Sequence, residues 1–302
     1  MEHVIIKGKK YEVRRGKLSL GPCLNIKSMS EIENLENLTE AKSLFLVENN
    51  IQEIANLDNL ISLRTLDLQK NNIQEIKGLD SLVNLARLNL DGNSISKIQG
   101  VDSLVNLKEL NLTYNNITKI EGLSTLKNLE ILKLSANHIS EIHGLDRLTK
   151  LQHLFLSGNN IMEIKNLSHL QSLRLLGLRK NKISEIRGLE NLNNLTSLVL
   201  RNNKISELKN LDSLPNLLIL ALNDNHISEI TGLQNLNNLK NLDLRNNQIT
   251  ELKGLENLTQ LRELYLGGNN IDPDLIKRLG GLDRDGCAFK AQKFVEYCRK
   301  HK

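Results

Sequence analysis

Asparagine recurs every 22 residues, eleven times without a slip, at Asn49, Asn71, Asn93, Asn115, Asn137, Asn159, Asn181, Asn203, Asn225, Asn247 and Asn269. Each follows a leucine pair, Leu44/Leu46 through Leu264/Leu266, and each is followed two residues later by isoleucine, Ile51 through Ile271. Self-similarity at a fixed short period marks a stacked solenoid, in which one unit cannot bury its apolar face alone and a stack can. A chain of 302 residues would ordinarily suggest two domains, but neighbouring units of such an array share one core and need no linker.

One unit, Leu79 to Gly100, shows how the repeat works. Leu88-Asn-Leu90 alternates, which predicts a short strand with both leucines on one face. Leu79, Leu82 and Leu85, then Ile95 and Ile98, recur at threes, the spacing of turns and 3₁₀ segments. The asparagine just past each strand offers two donors and an acceptor, suited to backbone groups that a tight turn leaves unpaired inside the stack. Leaving one such group unsatisfied costs about 1–3 kcal/mol. A second column, Asn56, Gly78, Gly100, Gly122, Gly144, Asn166, Gly188, Asn210, Gly232 and Gly254, contains only glycine and asparagine. Those residues accept positive φ most readily, so the chain is expected to turn through a left-handed conformation there.

The ends differ from the middle. Residues 1–28 are expected to form a β cap, with a hairpin from Val4-Ile-Ile6 and Tyr11-Glu-Val13 around Lys7-Gly-Lys-Lys10 and a strand at Leu18-Ser-Leu20. Residues 29–275 form the array, and residues 276–302 a helical cap. There, Pro273-Asp274 starts a short helix that Gly280-Gly281 stops. A final helix at about 290–299 carries Ala291, Phe294, Val295 and Cys298 on one stripe, suited to covering the last repeat. Asp283-Arg-Asp-Gly286 lacks the further acids of a calcium loop and reads as a turn. The net charge of +5 is uneven: residues 1–20 carry +4 and residues 276–302 carry +5, which leaves −4 on the middle. Three cysteines, Cys23, Cys287 and Cys298, match neither a metal site nor a disulfide framework. With no signal-peptide or transmembrane run, the expectation is a cytoplasmic protein with reduced thiols, no membrane partner and no cofactor.

The pattern Leu-x-x-Leu-x-x-Leu-x-Leu-x-x-Asn-x-Ile-x-x-Ile-x-(Gly/Asn) over about 29–275 resembles the 22-residue class of leucine-rich repeats. Proteins of this class include a eukaryotic phosphatase-1 regulatory subunit and bacterial internalins. Gly280-Gly281 and Gln292-Lys-Phe-Val-Glu-Tyr-Cys298 are similar to the ends of cytoplasmic leucine-rich-repeat proteins of Asgard-type archaea. The resemblance implies an α/β solenoid, a horseshoe with a parallel β-sheet on its concave face and short 3₁₀ or turn segments on its convex face. It also implies a non-catalytic scaffold that binds a partner protein, as a regulatory, internalin-like or phosphatase-regulator-like adaptor.

Residues flanking the strand leucines should line that concave face, with equivalent positions on neighbouring strands about 4.8 Å apart. Ile131, Phe155, Leu175, Val199, Ile219 and Ala221 are apolar there, and Gly177 leaves space between Phe155 and Val199. Lys133, Arg179, Arg201, Asp243 and Arg245 supply charge around them, with Lys180 alongside. An apolar centre with a charged rim is how protein interfaces are built, so these residues form the candidate partner site. Asp67 and Asp91 stand on adjacent strands, but nothing beside them resembles a nucleophile, an acid–base pair or a metal shell, so no enzyme is expected. Nucleic acid is not the expected partner either, because basic residues concentrate in the ends and the concave columns hold few aromatic rings for stacking. The glutamate column from Glu53 to Glu251, beside lysine or arginine, reads as a solvated back face.

Overall fold

A computed structural model describes residues 2–22 and 24–301, so Cys23 lies outside the described residues. The chain forms two compact units, Met1–Leu151 and Gln152–Lys302.

The first unit opens with a hairpin, β1 (His3–Ile6) against β2 (Lys9–Glu12). Its two-residue turn, Lys7-Gly8, has positive φ at both positions, the conformation whose twist matches that of paired strands. Mutual hydrogen bonds between Ile5 and Glu33 tie this hairpin to the first repeat. Six three-residue strands follow in parallel register: β3 (Lys17–Ser19), β4 (Ser43–Phe45), β5 (Thr65–Asp67), β6 (Arg87–Asn89), β7 (Glu109–Asn111) and β8 (Ile131–Lys133). The second unit contains β9 (His153–Phe155), β10 (Leu175–Gly177), β11 (Ser197–Val199), β12 (Ile219–Ala221), β13 (Asn241–Asp243) and β14 (Glu263–Tyr265), again parallel and in chain order. It ends with α1 (Pro273–Arg278) and α2 (Ala291–Lys300).

Each strand is centred on the first leucine of its pair, and the second lies just beyond it; both are buried, as Leu88 and Leu90 show. The return path is mostly a run of turns. Leu82 N–H donates to Leu79 O and Leu85 N–H to Leu82 O at 3.0 and 2.9 Å, and the named 3₁₀ segments, Met29–Glu31 and Leu35–Asn37, sit only at the start. The leucine and isoleucine columns are nearly all fully buried. Each such side chain withdrawn from water stabilises the stack by about 1.5–3 kcal/mol.

The asparagines join one coil to the next. Asn115 Oδ1 accepts the N–H of Ile95 at 2.9 Å, while its Nδ2 donates to Leu90 O at 3.0 Å and Leu112 O at 3.2 Å. In the second unit Asn225 bonds Ile205 N–H, Leu200 O and Leu222 O in the same way. One amide therefore satisfies groups of two successive repeats. The glycine-or-asparagine column has φ between 59° and 81° throughout. A Cβ at Gly188 would lie 2.3 Å from Ile164 O, whereas Asn210, at the equivalent position, donates Nδ2 to Ile186 O at 2.8 Å. At Asn210 the side-chain amide thus hydrogen-bonds the carbonyl that a glycine of the column faces bare.

The last strand of the second unit is covered by local chain. In the second unit the segment at 286–288 lies against β14, with Leu266 N–H on Gly286 O and Ala288 N–H on Leu264 O. Helix α2 buries Ala291, Phe294, Val295 and Cys298, and Gln292 Nε2 donates to Leu261 O at 2.7 Å. Asp283 Oδ1 accepts the N–H groups of Asp285 and Cys287, closing the Asp283–Gly286 turn. Among the described residues no helix is long and apolar enough to cross a membrane.

Candidate functional site

The sheet face opposite the leucine core is the open face, and it has a different chemistry in each unit. In the first unit it is polar and internally bonded. Asp67 Oδ1 accepts from Asn89 Nδ2 at 3.0 Å, Gln69 Nε2 donates to Asp91 Oδ2 at 3.0 Å, and Arg87 reaches Thr65 at 3.1 Å. A cavity of about 290 Å³ opens here, lined in part by Asp67, Arg87, Glu109 and Asn111. Burial raises the Asp91 carboxyl above the ordinary carboxylate range, Lys70 opposes the shift and Asp67 adds to it. Ile131 and Lys133 belong to this unit. Ile131 is half-buried, and Lys133 Nζ is paired with Glu109 at 2.6 Å.

The second unit is apolar across four strands. Phe155, Leu175, Val199 and Ala221 are half-buried, and Ile219 is 42% exposed. Gly177 is buried rather than an open notch. A Cβ there would sit at ordinary van der Waals distance, 3.5 Å from the Phe155 ring and 3.6 Å from Ser157 Oγ, so the position has room for a methyl group with the ring as one wall. Arg179 and Lys180 are exposed, with no ionic partner among the described residues, and Arg201 spends only Nε, on Asp224 at 3.2 Å.

Arg245 and Asp243 behave otherwise than as free rim charges. Arg245 donates Nε and an Nη to the two Asp243 oxygens at 2.9 and 2.6 Å, donates again to Asp285 O at 3.0 Å, and lies 4.6 Å from the Tyr265 ring. The Asp243 hydrogen bond raises the Arg245 pKa further. These two residues close the end of the face against the chain's own 283–287 segment. Beside them, burial and the Glu263 carboxylate push the Tyr265 phenol up to about 12.

Three features were invisible in the repeat consensus. The residue before each ladder asparagine also has positive φ, including Glu48, Lys70, Tyr114, Ala136 and Lys180. The glycines at 92, 158 and 268 were the signal, hidden by the side chains that share the column. On the opposite surface a second asparagine column, such as Asn106 and Asn216, donates Nδ2 to the carbonyls of Val83 and Asn193 at 2.9 Å. The third is a backbone cap on the open face. Asp67, Asn89, Asn111 and Asp243, each between its leucines, accept the N–H two residues on at 3.0–3.2 Å. Where Phe155, Gly177, Val199 and Ala221 take that place, the N–H groups of Ser157, Arg179, Arg201 and Asn223 have no partner among the described residues.

Among the described residues no group of three or more His, Cys, Asp or Glu is placed to hold a metal ion. Cys287 and Cys298 are unpaired; burial raises both thiols, Cys298 to about 11.

Sequence models of the leucine-rich repeat match residues 105–161, and those of the two-copy leucine-rich repeat match 61–104 and 237–277. Among solved structures the chain is similar to InlF, an internalin of Listeria monocytogenes, at 32% identity and a TM-score of 0.80, over 88% of this chain and 77% of that one. It is also similar to a chain in an octameric complex of latrophilin 3, Unc5D and the leucine-rich repeats of FLRT2, at 25% identity and 0.67, over 87% and 91%. A third likeness, at 26% identity and 0.65, is to TLR13 in complex with ssRNA13, over 76% of this chain and 37% of that one. No curated protein matches the sequence. The chain belongs to the leucine-rich-repeat family, whose fold and repeat make it a protein-interaction scaffold.

Proposed function

We propose that the second unit binds a partner protein on its open sheet face, the concave side of such a solenoid, as a non-catalytic adaptor. The observation that carries this is the row of incompletely buried apolar side chains on adjacent strands, Phe155, Leu175, Val199, Ile219 and Ala221, beside Arg179 and Arg201. A solvated sheet face has no use for leucine, isoleucine and phenylalanine side by side, whereas a desolvated interface centre does. InlF supports the repeat architecture, and the FLRT2 complex shows a similar fold within an assembly with other proteins. We propose a cytoplasmic location as well, a reading that the unpaired Cys287 and Cys298 support.

The test is affinity capture from the native cell with wild-type chain and with Phe155→Ala/Arg201→Glu, followed by titration of whatever the wild type retains. Loss of a central aromatic and reversal of a rim charge should weaken binding by about thirtyfold or more. Unchanged affinity would remove the assignment.

A further inference from the structure

The second unit's open face also specifies what a partner must bring. The fate of one backbone N–H per repeat is decided by the residue between the leucines. Where that residue is Asp67 or Asp243, a carboxylate oxygen lies 3.0 or 3.1 Å from the N–H two positions on. The chain thus displays, in its own repeats, the group that this backbone position accepts. On β10, β11 and β12 the residue is Gly177, Val199 or Ala221, and the N–H groups of Arg179, Arg201 and Asn223 have no partner among the described residues. Strand spacing puts these donors about 4.8 Å apart in a row. Arg179 and Arg201 add guanidinium donors to the same row, and a carboxylate meeting such donors makes charge-assisted hydrogen bonds, roughly twice as strong as neutral ones.

A second observation narrows the ligand. Asn223 is only 3% exposed, yet its Oδ1 has no hydrogen-bond partner, and its Nδ2 is fixed by Asp224 Oδ2 at 2.8 Å. That orientation rules out a simple amide flip, because it would bring two oxygens together. An orphaned buried acceptor asks for a donor, which neither a free carboxylate nor a phosphodiester offers and a peptide N–H does. We infer that this face takes an acidic peptide segment of the partner. Its carboxylates, on successive acidic residues, are held by the uncapped N–H groups of Arg179, Arg201 and Asn223, and an adjacent apolar side chain rests on Val199 and Ile219. The inference rests on the open-face reading above and adds the partner's chemistry to it.

Backbone amide NMR of the full chain reads these groups directly. The probes are an acetylated, amidated hexapeptide alternating leucine and glutamate, its glutamine counterpart, and a single-stranded oligothymidylate. The glutamate peptide should move the Arg179, Arg201 and Asn223 amide protons downfield, and the glutamine peptide should bind at least about fivefold more weakly, having lost the charge-assisted bonds. Ala221→Asn places a neutral cap on the Asn223 N–H, as Asn89 and Asn111 do in their own repeats. It should abolish the Asn223 response and lower affinity about fivefold, whereas Ala221→Val should keep both. Equal binding of the two peptides, or indifference to Ala221→Asn, overturns the carboxylate inference. If both peptides shift Phe155 and Val199 equally, the open-face reading survives that failure. If no open-face resonance moves, the inference falls, and the reading of the face is decided by the Phe155→Ala/Arg201→Glu capture. A response to the oligonucleotide in place of the peptide overturns it in favour of nucleic acid.

Discussion

The two units share one backbone recipe and expose different chemistry. In the first, Asp67, Asn89 and Asn111 cap the N–H two residues on, and side chains such as Gln69 and Asp91 bond one another. In the second, four successive strands carry Phe155, Gly177, Val199 and Ala221 at that place and leave the donors open. Twenty-two-residue periodicity therefore builds the stack, while the one free position between its leucines decides whether the surface is closed on itself or available.

If the stack is common to both units, breaking it should cost the same in each. Asn115→Ala and Asn225→Ala each strip partners from one N–H and two carbonyls, and each should lower stability by about 3 kcal/mol in urea unfolding. A large loss in one unit alone would break the equivalence. Next come Gly122→Ala and Gly232→Ala, where a Cβ would lie 2.4 and 2.3 Å from a carbonyl oxygen at positive φ. Each should cost about 2 kcal/mol, and Gly→Asn at the same sites distinctly less, since Asn210 shows the accommodating bond.

The arginines sharpen the contrast within the second unit. Arg245→Ala strands the largely buried Asp243 carboxylate and should cost about 1–2 kcal/mol, whereas Arg201→Ala, at an exposed pair, should cost under about 0.5 kcal/mol. The smallest effect belongs to Asp91 in the first unit. Its folded-state pKa is raised by burial, so its stabilising contribution is complete below the ordinary carboxylate value and is lost as pH rises through the raised one. Melting temperatures across that range should show Asp91→Asn gaining on the wild type as pH increases. A gain that shrinks with rising pH would show the carboxylate to be favoured instead.

Much of this was legible in the residues. The ladder asparagines and the glycine-or-asparagine column announce buried amides and positive φ because few residue types can serve there. The left-handed position before each ladder asparagine was obscured, since Glu48, Lys70, Tyr114 and Ala136 occupy it under the pull of the stack despite their Cβ atoms. The apolar strands β9–β12 could be read from their columns. That Arg245 is committed to Asp243 and Asp285 could not, because the 283–287 segment reaches it only through the folded end cap. The wall that the Phe155 ring gives to Gly177 likewise depends on where that ring turns.

Hydrogen exchange on the captured complex tests the central claim most directly. Slowed exchange confined to peptides spanning 153–223 of the second unit is the expected result. Protection of 43–113 in the first unit, or of the opposite surface around Asn106 and Asn216, would contradict it.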